Sequence, residues 1–178
     1  MNLFTKIVLK FLSIASLIAQ IFCGFAGIML VFATVALFFV PEGIKKDMLQ
    51  LLELNSKTNI SVLFVILSCL AALAIISCLF IIMFALYKII GNIYEQDFFV
   101  SKNLKYLKLI LIAITSFTIL QFISQLFFAK LHVYDVSSVF SNTSPGFLGN
   151  ILILAIVYTL YVVFKYGISL QDDSNKVI

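Results

Sequence analysis

This chain has no arginine, no tryptophan, one histidine and two prolines, and charge is missing from stretches of up to 31 residues (11–41). Each absence excludes something. Paired hydrogen bonding to phosphate or carboxylate relies on the guanidinium fork, so a +4 net charge carried by lysines alone is no argument for direct binding to nucleic acid. A single histidine, His132, with no Cys, Glu or second His at ligand spacing, makes no metal site. Only 11% of the residues are charged and 63% are hydrophobic; soluble domains carry about 25% charged residues. A water-soluble fold of this size would leave much of that apolar surface exposed and prone to association. Abundant Lys, Ile, Phe and Asn without Arg is the codon usage of an AT-rich genome, which points to a low-GC bacterium.

What is present is four uncharged apolar runs, at roughly 11–40, 60–87, 109–129 and 147–164. About 20 residues at 1.5 Å each cross the ~30 Å of bilayer hydrocarbon as a helix. The expected fold is therefore all-α, one domain over 1–178: an integral membrane bundle of four transmembrane helices. Lys6 and Lys10 precede the first run as in a signal peptide, but the run is too long for one and no A-x-A site follows, so it is expected to stay as a helix. Pro41 ends it. Over 42–54, Ile44, Met48, Leu51 and Leu52 keep helical spacing opposite Lys46, Gln50 and Glu53, which predicts a short amphipathic interfacial helix after the first span. Thr58 or Asn59 is placed to cap the second span, and Ser101 the third. A polar loop, 130–146, holds His132 and the Pro145-Gly146 turn. A short, flexible tail, 167–178, closes the chain.

Lysine placement predicts orientation, because short cytoplasmic loops concentrate basic residues. With four spans, Lys6, Lys10, Lys88, Lys102, Lys105, Lys108, Lys165 and Lys176 share one side, against Lys45, Lys46, Lys57 and Lys130 on the other. Both termini and the central connection are expected in the cytoplasm of a bacterium with this protein in its plasma membrane.

Ionisable groups inside a membrane mark proton relays and ion-coupled pathways. The four runs carry no charged side chain and no histidine, which argues against a pump, an intramembrane protease and enzymatic activity in general, and nothing asks for a cofactor. Cys23, Cys69 and Cys78 fall inside the apolar runs and read as small hydrophobic residues. Ala15, Ala19, Cys23 and Gly27 recur every four residues, a seam of small side chains that lets helices approach closely, within the bundle or between protomers. On the third run Thr115, Thr118, Gln121 and Gln125 form a polar stripe beside Ser124. Gln20, Asn150 and Tyr158 are candidates to meet it, and the favoured role is interhelical hydrogen bonding, with a solute path as the other reading.

The most distinctive segments are the 92–106 connection and the 167–177 tail, which mix aromatic and aliphatic residues with acids and amides. Tyr94, Phe98, Phe99 and Tyr106 suit the headgroup belt. The alternative is a docking face for a cytoplasmic protein, with Tyr94, Phe98, Phe99, Asn103, Leu170, Asp172 and Asp173 as its candidate contacts. Lys102, Lys105 and Lys108 are expected to attract anionic lipid headgroups. The pattern Leu86-Tyr87-Lys88, Asn92-Ile93, Phe98 or Phe99, Asn103 and Leu107, with Gly167-x-x-Leu170-Gln171-x-Asp173 and then Val177, resembles the two signatures of a four-span bacterial membrane family catalogued as domain of unknown function 2975. One departure stands out: where that pattern has Gly and often Pro before the Phe, this chain has Gln96-Asp97. The resemblance implies no established activity. Members often lie beside small helix-turn-helix regulators of the Cro type, which implies a membrane partner that senses and restrains a regulator.

A regulatory or sensory membrane component is thus the first expectation. Immunity against a bacteriocin or toxin, through the spans or the outward segments 42–59 and 130–146, is the second. A small-solute transporter or channel, resting on the polar stripe, is the third.

Overall fold

A computed structural model describes residues 2–41, 43–44, 62–130 and 144–176. These form four helices, α1 (Leu3–Phe39), α2 (Val62–Tyr94), α3 (Ser101–Lys130) and α4 (Ser144–Lys176), with no strand among the described residues. A helix satisfies its own backbone N–H and C=O groups, which lipid cannot do. All four are long and apolar enough to cross a membrane, and the chain is a multi-pass membrane protein in contact with the bilayer. The expected interfacial helix at 42–54 lies outside the described residues apart from Gly43 and Ile44, as do the caps at Thr58 and Asn59, and His132.

The helices outrun the apolar runs. α1 starts eight residues earlier than the first run, α2 continues to Tyr94, and α3 starts at Ser101. At 37 residues α1 is about 55 Å long, well beyond ~30 Å of hydrocarbon. An apolar run ends at its first charge, whereas a helix ends where its hydrogen bonding fails. The clearest correction is the tail: α4 passes through Gly167 without a break to Lys176, so 167–176 is helix and not a flexible terminus. At the other end of α1, Val40 is extended (φ −73°, ψ 132°) while its N–H still donates to Ala36 O at 3.1 Å. That is the conformation Pro41 imposes on the residue before it.

Each helix packs on the next in sequence. A side chain added at Gly24 would lie 3.7 Å from Phe80, and one at Gly27 would lie 3.7 Å from Ile76. Asn92 pairs with Asn103, and Gln121 with Asn150. With Phe84 against Tyr106 and Phe99 against Phe164 as second contacts, one number rises as the other falls between each two neighbours, which therefore run antiparallel. The start of α1, the α2–α3 turn and the end of α4 therefore share one end of the molecule, the lysine-rich one.

The α1–α2 seam differs from its expected form. Ala19, Cys23 and Gly27 are half-buried, but Ala15 is exposed and Ser16 takes the buried place. A four-residue step advances about 400° round a helix, so such a stripe drifts some 40° per step away from its partner. The seam follows Ser16, Cys23, Gly27 and Thr34 instead. The hydroxyls of Ser16 and Thr34 donate to carbonyls of their own helix, at Ser13 (3.3 Å) and Leu30 (2.7 Å).

The core lies between α2, α3 and α4. Ala85 and Ile89 meet Leu107, Ile110 and Ile114, and Leu154, Val157, Tyr161 and Phe164 of α4 pack against them. Elsewhere large apolar side chains face outward, from Phe4 to Tyr166, as a lipid solvent permits. The polar stripe of α3 is divided. Thr115 and Thr118 donate to Leu111 O (2.8 Å) and Ile114 O (2.9 Å) within α3, while Asn150 Nδ2 donates across to Gln121 Oε1 at 3.1 Å. Gln125 is half-buried and Ser124 buried. Gln20 is half-buried on α1. Tyr158 does not meet the stripe: it is exposed, 6.4 Å from Tyr161 between ring centroids.

Candidate functional site

The six residues between α2 and α3 are where polar chemistry concentrates. Asp97 N–H donates to Asn92 O (2.9 Å) and Gln96 N–H to Ile93 O (3.1 Å), with Gln96 left-handed at φ 70°. This is the Schellman arrangement that closes a helix, and its left-handed position usually holds glycine. Gln96 holds that position here, at a cost of roughly 1–2 kcal/mol for a side chain in that conformation.

Asn103, in the first turn of α3, ties the turn together. It is fully buried. Asn92 Nδ2 donates to its Oδ1 at 2.6 Å, and its own Nδ2 donates to Asp97 O (2.8 Å) and Phe98 O (2.9 Å). Its backbone N–H donates to Val100 O at 3.0 Å. Asn103 was expected among the contacts of a docking face; its burial removes it from that surface, because its amide is committed to the turn. A carboxamide suits this place because it accepts on one side and donates twice on the other.

The turn in turn seats Phe99. Its ring packs at 5.5 Å from that of Phe164 and lies directly over Gly167, where an added Cβ would come within 2.5 Å of two ring carbons. The two distinctive segments of the sequence are thereby joined at one point. Phe99 remains 43% exposed, beside Tyr94 at 43% and Phe98 at 41%. Tyr166 and Leu170 are exposed on α4, and Asp173 is exposed beyond them. The side chain of Asp172 lies outside the described residues. Lys102, Lys105 and Lys108 are all exposed, on the side of α3 opposite Asn103, Leu107 and Ile110. The three cysteines are free thiols within the helices, Cys78 buried and Cys23 and Cys69 half-buried. Sequence reasoning passed over Gln96 as a strained position and Gly167 as a contact. The signal for both was available, in the Gly missing from one signature and the Gly kept in the other.

Three outcomes follow for thermal unfolding in detergent. Asn103→Leu leaves two carbonyls and the Asn92 amide without their partner, and is expected to cost about 3 kcal/mol; an unchanged midpoint would remove Asn103 from its central place. Gln96→Gly is expected to raise stability by up to about 1 kcal/mol, relief of strain exceeding the added chain entropy. Gly167→Ala should lower stability in the native background but raise it, by up to about 1 kcal/mol, alongside Phe99→Ala, because alanine is the better helix former once the ring is gone. The same sign in both backgrounds would show that the contact does not constrain α4.

A family model described as protein of unknown function, DUF2975, matches residues 50–178. No curated protein and no solved structure matches the chain. The matched region takes in α2, the Asn103 turn, α3 and α4 but not α1, and the chain belongs to this DUF2975 family of proteins of unknown function.

Proposed function

We propose that this protein is a non-enzymatic regulatory or sensory component of a bacterial cytoplasmic membrane, with both termini in the cytoplasm. On this reading the α2–α3 turn and the end of α4 together hold a cytoplasmic protein partner, such as a small helix-turn-helix regulator. The observation that carries the proposal is the seating of Phe99 on Gly167 and Phe164, which makes one surface out of two segments far apart in sequence. Tyr94, Phe98, Tyr166 and Leu170, near that point in sequence, are exposed, as are the acids Glu95, Asp97 and Asp173. Orientation rests on the lysine bias, and the lack of charged side chains and histidine in the apolar runs supports a role without catalysis.

Capture by crosslinking in native membranes tests the proposal, comparing the intact protein with a Phe98→Ala, Leu170→Asp variant. Phe99 is left in place because it also supports α4. The intact protein is expected to recover a small DNA-binding protein, and the variant to recover at least about tenfold less while inserting equally well, the effect of removing an anchor worth some 1.4 kcal/mol. Equal recovery, or none, overturns it and moves the question to survival under toxin challenge.

A further inference from the structure

The ammonium of Lys88 sits 5.8 Å from the centre of the Phe84 ring and 5.9 Å from that of Tyr87. It leans back along α2, as helical side chains do. At this end of α2 that direction is toward the apolar span. Phe84 and Tyr106 of α3 form a T-shaped pair, with centroids 6.3 Å apart and planes at 80°. Tyr106 follows Lys102 by one turn on the same side of α3. Lys105 and Lys108 lie about 60° and 120° round from Lys102, both away from Tyr106. Lys88, Lys102 and Lys105 are exposed, and α3 begins at Ser101, so the positive end of its dipole adds to the same field. α2 thus brings the Lys88 ammonium against Phe84, and Lys102 stands one turn before Tyr106 on the facing helix, at the level where the apolar spans end.

We propose that this α2–α3 cleft is a binding site for the phosphodiester headgroup of an anionic phospholipid, held between Lys88 and Lys102 with Lys105 at its outer edge. The sequence alone suggested general attraction to the row Lys102, Lys105 and Lys108; the structure brings in Lys88 from another helix and leaves Lys108 on the far flank. A free phosphate ion offers the same charge, but the position of the cleft favours the lipid. Lys88 leans toward hydrocarbon, and exposed apolar side chains such as Leu109 and Ile112 continue along α3 from the lysines, a path for the acyl chains. Basic clefts between membrane helices are suited to such headgroups. The site is independent of the protein-binding surface proposed above.

Native mass spectrometry of the full-length protein with an equimolar mixture of phosphatidylglycerol and phosphatidylcholine tests the site. Phosphatidylglycerol is expected to be retained preferentially, and Lys88→Gln with Lys102→Gln to weaken it roughly thirty-fold, from about 1 kcal/mol per ammonium. Lys88→Arg with Lys102→Arg should keep binding within a few-fold. Lys6→Gln with Lys10→Gln makes the same charge change on α1 and should alter it less than about threefold. Unfolding in phosphatidylcholine alone checks that each variant is folded; if the 88/102 pair is not, Lys88→Gln alone carries the test, with about a fivefold loss expected. Equal losses from the two glutamine pairs, no loss from either, or displacement of the lipid by inorganic phosphate would each overturn the proposal.

Discussion

The carboxamide of Asn103 decides how the lysine-rich end of this protein is built. A buried amide without partners is costly, by about 1–3 kcal/mol for each group left unpaired. Here every partner comes from the turn or from the last turns of α2: Asn92, Asp97 O and Phe98 O. The connection between α2 and α3 is therefore held in one conformation despite spanning only six residues. That conformation requires Gln96 to turn left-handed and delivers Phe99 to Gly167. The placement of the end of α4 depends on it, since Phe99 meets both Phe164 and Gly167 there.

Elsewhere the forces are weaker and more diffuse. In lipid, apolar burial no longer drives helices together, and close packing with a few interhelical hydrogen bonds takes its place. This explains why the buried set is small and why small residues stand where α1 meets α2. A Cβ added at Gly24 or Gly27 would reach only ordinary contact distance from Phe80 or Ile76, so α1 rests on α2 without deep interdigitation. The Asn150–Gln121 bond joins α3 to α4 at the end remote from the turn. Together with Phe99 it fixes the register of these two helices at two separate levels. The threonines of the stripe satisfy themselves within α3, and this leaves little polarity facing a neighbour.

Much of this architecture was legible before any coordinates, because the membrane is a simple solvent. Four uncharged runs predict four helices, and the pattern from Leu86 to Leu107 together with Gly167 and Leu170 predicts the family. Helix ends were not legible from hydropathy. Lys10, Lys88 and Lys108 end apolar runs without ending helices, since a solvated lysine leaves the backbone hydrogen bonds intact. The drift of the α1 seam from Ala15 to Ser16 escaped a strict four-residue period for a geometric reason, the mismatch between 4 and 3.6. Asn103 was singled out correctly as distinctive and assigned to the wrong side of the surface. A carboxamide reads the same in sequence whether it binds an outside partner or its own backbone.

By itself the sequence determined the solvent of this protein, the number of its membrane helices and its family, because these rest on composition, run length and short local patterns. Only the tertiary structure decided which residues of the distinctive segments are buried, that Phe99 and Gly167 touch, and that Lys88 shares an aromatic floor with α3. Those facts depend on the antiparallel register of neighbouring helices and on the rotation of each about its axis. Register and rotation are set by contacts between residues distant in the chain, such as Asn92 with Asn103 and Gln121 with Asn150.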